Sequence, residues 1–320
     1  MTVLVTGAAG QVGQSLCRAL AARGIVHRPA PRAVLDIADR DAVAAAMEGA
    51  SAVVNLAAFT AVDRAEAEPA AADRVNNLGA GIVAQAAART GIPMIHLSTD
   101  FVFDGTGPAA AARRGYREDD AVAPANAYGS SKLAGEQAVL AACQQAIVLR
   151  TAWVFSAQGA NFVKTMLRLA GERDELRVVA DQYGSPTAAD DIATAICAVL
   201  GRLRSGAAIG YGIYHFAGAP AATWHDLAVA TLDAAGAQIP VHPIATADWP
   251  TAARRPAWSV LDSGRFAASF GPTAPDWRLR PAAHASCSSA VLASFSSAVR
   301  RAAAAALRPP RGGARAARRA

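Results

Sequence analysis

Four short apolar runs, at residues 3–5, 52–54, 94–97 and 147–149, alternate with stretches of helical periodicity at 40–47, 69–89 and 130–142. Runs of three or four residues drawn from Val, Ile, Leu, Ala and Met, broken only by His96 and without polar alternation, are the mark of strands buried on both faces. Parallel strands joined by covering helices bury them in that way. The pattern predicts an α/β fold with a doubly wound parallel sheet. A further strand is expected at 25–27, where Pro29 and Pro31 follow closely and weaken the pattern. Beyond Arg150 the texture is less regular. Helices at 162–169, 192–203 and 224–235 and strands at 177–179 and 212–216 predict a smaller C-terminal lobe. The expected division is residues 1–150 for the sheet domain, with later segments returning to it, 151–280 for the lobe, and 281–320 for a tail.

The first strand runs straight into TGAAGQVG, in which Gly7, Gly10 and Gly13 are spaced three apart. Val12, Leu16 and Leu20 then follow at helical spacing. A glycine-rich turn between a strand and a helix lets backbone approach a pyrophosphate, where free N–H groups and the helix dipole favour negative charge. The same glycines also suit a plain tight turn. The spacing differs by one residue from the usual dinucleotide fingerprint, and no acid stands at the end of the second strand. Arg28 and Arg32 occupy that region and are either partners for a 2′-phosphate or solvated surface residues.

Composition narrows the class. Hydrophobic residues make up 53% but aromatics only 6%, because alanine alone supplies 84 residues. No run approaches the ~18 large apolar residues of a membrane span. The N-terminus enters a strand without a basic region, so a signal peptide is not expected. The net charge of +6 resides in residues 281–320, which hold seven arginines and no acid; the rest carries 24 basic against 25 acidic residues. A neutral body with a basic low-complexity tail predicts no specific nucleic-acid partner and a disordered tail, its last dozen residues dispensable for catalysis, although its alanine-rich part near 290–307 has helix propensity. Cys17, Cys143, Cys197 and Cys287 are far apart and the six histidines show no ligand spacing, so neither disulfides nor a bound metal are expected, and a reducing cytoplasm is the expected setting.

Tyr128 and Lys132 lie four apart at the start of a predicted helix and share its face. The chain has only two lysines and five tyrosines, which makes the pairing unusual. An ammonium beside a phenol lowers its pKa toward the range of a working proton donor. Ser98, Thr99 and Asp100 follow the strand at 94–97, at the carboxyl end where open α/β sheets bind ligands. Such residues also simply end strands. Trp153 ends another strand, where core packing accounts for it equally.

In order, the chain reads GxxGxxG, NLAAFTAVDRAE, STDFVFDG, YGSSK, RTAWVFSAQGANF and DQYGSPT, then YHFAGAPAATWHDLA and RRPAWSVLD. From about Thr2 to Trp277 this resembles the dTDP-4-dehydrorhamnose reductases, which are extended short-chain dehydrogenases. The resemblance implies a Rossmann-type sheet with a smaller C-terminal substrate-binding lobe. It implies reduction of the 4-keto group of a dTDP-6-deoxy-hexulose to dTDP-L-rhamnose by NADPH, with NADH also usable. Carried over by position, Thr99 orients the keto oxygen, Tyr128 donates the proton, and Lys132 tunes Tyr128 and binds the nicotinamide ribose. Gly7, Gly10, Gln11, Val12 and Gly13 hold the pyrophosphate, Asp36 and Ile37 flank the adenine, and Ala57, Ala58 and Thr60 line the cofactor groove. Asp100, Phe101 and Trp153 fall to the sugar, with Phe101 standing where the family usually has tyrosine. Mg2+ and a homodimer come with the family only; the residues themselves are silent on both. The loop from Phe101 to Tyr128 is a few residues long for the family, and the tail replaces its compact end. Rival readings are a nucleotide-sugar dehydratase or epimerase, and a non-catalytic subunit like the regulatory partner of methionine adenosyltransferase. Asp100 is followed by Phe101 rather than by a second acid, which argues against a dehydratase.

Overall fold

The computed structural model describes residues 1–107 and 114–280. The expectations for the tail at 281–320 lie outside the described residues.

At the centre is a six-stranded sheet, parallel throughout. Its strands are β1 (Thr2–Thr6), β2 (Val26–Ala30), β3 (Ala52–Asn55), β4 (Met94–Thr99), β5 (Ala146–Thr151) and, after the short β6 (Leu176–Val179), β7 (Gly212–His215). The order across the sheet is β7-β5-β4-β3-β1-β2. The chain winds outward from β1 in one direction and from β3 in the other, so the order reverses between them. The crevice outside their carboxyl ends is where a Rossmann-type sheet takes its ligand.

Helices cover both faces. On one, α1 (Gln11–Ala22) brings Val12, Leu16 and Leu20 against Ile192, Ile196 and Leu200 of α6 (Ala189–Arg204), over Val3 and Val5. On the other, α2 (Arg40–Met47), α3 (Ala80–Thr90) and α4 (Ala127–Ala142) bury Val43, Val83 and Val139 over Leu4, Val53 and Val148. Each fully buried aliphatic side chain contributes about 1.5–3 kcal/mol. A separate apolar cluster unites α5 (Phe162–Ala170), α7 (Trp224–Ala235) and β6, which pairs in parallel with β8 (Val241–Ile244).

The structure departs from the sequence pattern in four places. The second strand runs to Ala30 and accommodates Pro29 because it is an edge strand, where a missing N–H breaks no ladder. The single helix expected at 69–89 is Pro69–Asp73, a π-helical stretch Arg74–Gly79, and then α3. α4 begins three residues before the expected start, because the Asn126 side chain caps it by accepting the Gly129 N–H at 2.8 Å. The segment at 212–215 pairs with β5 and so completes the main sheet rather than the lobe.

Candidate active site

A cleft of about 1230 Å³ opens at the carboxyl ends of β1, β3, β4 and β5, with the lobe elements as its far wall. All sixteen residues to which the family resemblance gives a role line it: Gly7, Gly10, Gln11, Val12, Gly13, Asp36, Ile37, Ala57, Ala58, Thr60, Thr99, Asp100, Phe101, Tyr128, Lys132 and Trp153.

The turn after β1 is built for close backbone approach. Gly7 has φ +64°, and a Cβ there would meet Ala57 N at 2.5 Å; a Cβ on Gly13 would meet Gly7 O at 2.5 Å. At the N-cap of α1, Gly10 offers no side chain to the first N–H groups of the helix. Those donors and the helix dipole face the cleft, an arrangement that fits the diphosphate of a dinucleotide. Gln11 ties this turn to the opposite wall: its Oε1 accepts from Ser156 Oγ and Asn161 Nδ2, each at 2.9 Å.

Asp36 and Ile37 stand at the next corner. The backbone N–H of Ala38 and the Arg74 guanidinium, at 3.0 and 2.8 Å, hold the Asp36 carboxyl below the usual carboxylate range, and Arg32 adds its charge. Arg32 lines the cleft. Arg28 does not, so of the two readings open for the pair, that of a 2′-phosphate partner is left to Arg32 alone. The Arg28 Nη2 donates to the carbonyls of Ala46 and Glu48, each at 2.8 Å, and so satisfies the open C-terminal end of α2. The third wall, Ala57 to Thr60, is pinned by the buried Asn76 of the π-helical stretch. Its Oδ1 accepts the Phe59 N–H at 2.8 Å, and its Nδ2 donates to Phe59 O at 3.0 Å and to Ser131 Oγ at 2.9 Å.

The chemical centre lies where β4 meets α4. Thr99 Oγ1 donates to Asp100 Oδ1 at 2.9 Å and accepts the Phe101 N–H at 3.2 Å, which holds Thr99 at the strand end. Burial pushes the Asp100 carboxyl up to about 6 against hydrogen bonds from Ser259 and Thr99. Burial also pushes the Tyr128 phenol up to about 12, against a hydrogen bond from Thr99 and with the help of Asp100. The spacing to Lys132 alone predicts the opposite direction. The phenol's own desolvation dominates, and desolvation likewise brings the Lys132 amine down to about 8 against the pull of Glu136. Lys132 Nζ donates to Leu97 O at 2.8 Å. The Phe101 ring meets Tyr128 edge to face at 5.6 Å between centroids.

On the far wall, Trp153 takes φ +46° and stacks on Trp224 with ring centroids 3.5 Å apart. A non-glycine residue at positive φ is held there by its surroundings. Trp224, Gln182 and Arg255 also line the cleft and were not marked by sequence reasoning, although Gln182 lies in DQYGSPT and Arg255 in RRPAW. Trp224 Nε1 donates to Gln182 Oε1 at 3.2 Å, and Arg255 pairs with Asp63 at 2.6 Å across the opening. Among the described residues, no group of three His, Cys, Asp or Glu side chains is placed to hold a metal ion. Nor is any described helix long and apolar enough to cross a membrane.

Residues 1–286 match the family described as RmlD substrate binding domain. A dTDP-4-dehydrorhamnose reductase of Aggregatibacter actinomycetemcomitans is 42% identical over 285 residues, covering 86% of this chain and 95% of that protein. Among solved structures, a dTDP-4-dehydrorhamnose reductase from Clostridium acetobutylicum superposes with a TM-score of 0.82 at 34% identity, covering 89% of this chain and 98% of the other. A dTDP-4-dehydrorhamnose reductase from Bacillus anthracis, in complex with NADP, gives 0.80 at 33% identity, covering 92% and 98%. The fold, the cleft and these relatives together place the chain in the dTDP-4-dehydrorhamnose reductase family.

Proposed function

We propose that this protein reduces the 4-keto group of dTDP-4-dehydro-L-rhamnose to give dTDP-L-rhamnose, with NADPH as reductant. The observation that carries the reading is the convergence of Thr99, Tyr128 and Lys132 at the foot of a dinucleotide cradle. NADPH held in this cradle would supply the hydride that C4 of the sugar needs. Thr99 orients the keto oxygen, and Tyr128, which burial keeps protonated throughout the neutral range, gives its proton to that oxygen as charge develops there. The carbonyl thus becomes a secondary alcohol, with one hydride and one proton accounted for. Lys132 holds the nicotinamide ribose and restores the Tyr128 proton from its own ammonium. Trp153 and Trp224 form an apolar wall for the sugar, and Asp100 and Phe101 complete its floor.

NADPH is favoured over NADH through Arg32. The Asp36 carboxylate beside it is occupied by Arg74 and Ala38, so its repulsion of a 2′-phosphate is blunted. A cytoplasmic setting and a homodimer belong to the same reading. Mg2+ is no part of it.

The test is consumption of NADPH by the purified chain when the 4-keto sugar nucleotide is generated in situ. Turnover by the chain alone supports the reading. A folded chain that binds NADPH without turnover favours the regulatory-subunit reading instead.

A further inference from the structure

Beneath the catalytic groups runs a line of buried polar side chains for which the reduction as derived above has no use. Thr6 ends β1, Asn55 ends β3, and His96 lies within β4. The register sets Thr6 beside Asn55 and Asn55 beside His96. All three are fully buried. Thr6 Oγ1 donates to Asn55 Oδ1 at 2.5 Å, Asn55 Nδ2 lies 3.1 Å from His96 Nδ1, and His96 Nε2 lies 3.5 Å from Lys132 Nζ.

The direction of donation passes along this line. With Oδ1 taken by the Thr6 hydroxyl, the Asn55 amide presents its NH2 to His96, so Nδ1 must accept. A neutral imidazole that accepts at Nδ1 carries its proton on Nε2. Burial and the charge of Lys132 keep this imidazole neutral, well below its usual range. The Nε2–H therefore faces Lys132. An ammonium has only donors to offer that N–H, whereas a neutral amine has a lone pair for it and can still donate to Leu97 O.

We propose that Thr6, Asn55 and His96 are positioning residues that fix the His96 tautomer and so disfavour the ammonium form of Lys132, leaving it ready to hand its proton to Tyr128. The other charged and titratable groups around Lys132 do not replace this control. Glu136, one turn further along α4, favours the ammonium, but Arg150 of β5 takes both its oxygens, at 2.9 and 2.7 Å, and Ser98 of β4 donates to it as well. His215 of β7 lies behind Arg150 at 3.4 Å. Tyr128 lies one turn before Lys132 on α4, and Asp100, just beyond β4, is raised by burial to about 6 and exerts its charge on Tyr128.

The use of this device rests on the reductase reading, but its measurement does not. Lys132 and Lys164 are the only lysines, so 13Cε-lysine labelling gives two signals, and Lys164→Arg assigns them. Titration of the free protein is expected to place Lys132 at about 8. Thr6→Val keeps the shape but frees the Asn55 amide to turn over, and His96→Gln can turn a carbonyl to the ammonium. Each is expected to raise the Lys132 midpoint by about one unit, a tenfold change in the protonation equilibrium. In the active enzyme, the alkaline limb of kcat should move with it while KM for the sugar nucleotide stays unchanged. Lower melting temperatures with an unmoved midpoint would overturn the proposal. So would imidazole 15N shifts of the wild-type protein that place the His96 proton on Nδ1, a measurement that needs no variant. Failure of the reductase reading appears separately, as absence of wild-type turnover.

Discussion

Tyr128 and Lys132 show how burial reverses an inference drawn from spacing. Spacing alone brings an ammonium to a phenol and lowers its pKa, and the four-residue interval was legible in the sequence. That both groups lie in the interior was not, because burial depends on Phe101, Leu97 and β4, which are distant in the chain. The phenol at about 12 is a protonated donor at every working pH, so the alkaline loss of kcat should follow Lys132, with a midpoint near 8. A pH profile that stays flat to pH 10 would remove Lys132 from the proton path. Stability has its own signature. Between pH 8 and the ordinary lysine range, the unfolded chain holds a proton that the folded chain has released. Lys132 therefore makes stability rise with pH in that window, which urea titrations at pH 8 and 10 on wild type and Lys132→Met would detect. Tyr128→Phe removes the donor and little volume, so NADPH binding should persist while kcat falls roughly 100-fold or more. Near wild-type kcat would refute the assignment. Arg28 teaches a complementary lesson: its place in the sequence suggested the cofactor, but the uncapped carbonyls at the end of α2 claim it.

At the scale of elements, the parallel sheet was legible because its strands are short, apolar and regularly interrupted by helices. The π-helical stretch Arg74–Gly79 was not legible, since a single extra residue in a helical turn leaves no mark on apolar periodicity. It carries two parts of the site: Arg74 holds Asp36, and Asn76 holds the Phe59 backbone against Ser131 of α4. Asn76→Ala would strip a buried N–H and C=O of their partners. At roughly 1–3 kcal/mol for each of the two groups left unpaired, it should cost about 2–6 kcal/mol of stability and loosen the cofactor wall. Chemical denaturation together with NADPH titration measures both. A loss under about 0.5 kcal/mol would show that the stretch holds its shape without that side chain.

Across the whole molecule, the cleft is closed by contacts between distant parts of the chain. Gln11 joins Ser156 and Asn161, and Asp63 joins Arg255, whose guanidinium also lies over the Phe101 ring at 6.0 Å. The lobe residues Trp224, Gln182 and Arg255 escaped sequence reasoning because their role is set by this folding-back and not by local spacing. The Asp63–Arg255 pair is partly solvated, so such an ion pair contributes only about 0–1 kcal/mol to stability. Arg255→Ala should therefore leave the melting temperature nearly unchanged but raise KM for the sugar nucleotide several-fold. A large drop in melting temperature with unchanged KM would make Arg255 a structural brace instead.

Hydride transfer to the sugar is the central step, and NADPH deuterated at C4 of the nicotinamide tests it. The purified chain, supplied with the 4-keto sugar nucleotide, should consume one NADPH for each sugar converted. NMR of the product should find the label at C4 of dTDP-L-rhamnose, and Tyr128→Phe should slow the appearance of both signals roughly 100-fold or more. A sugar isomerised or left untouched, with no label and no net loss of NADPH, would contradict the reductase assignment.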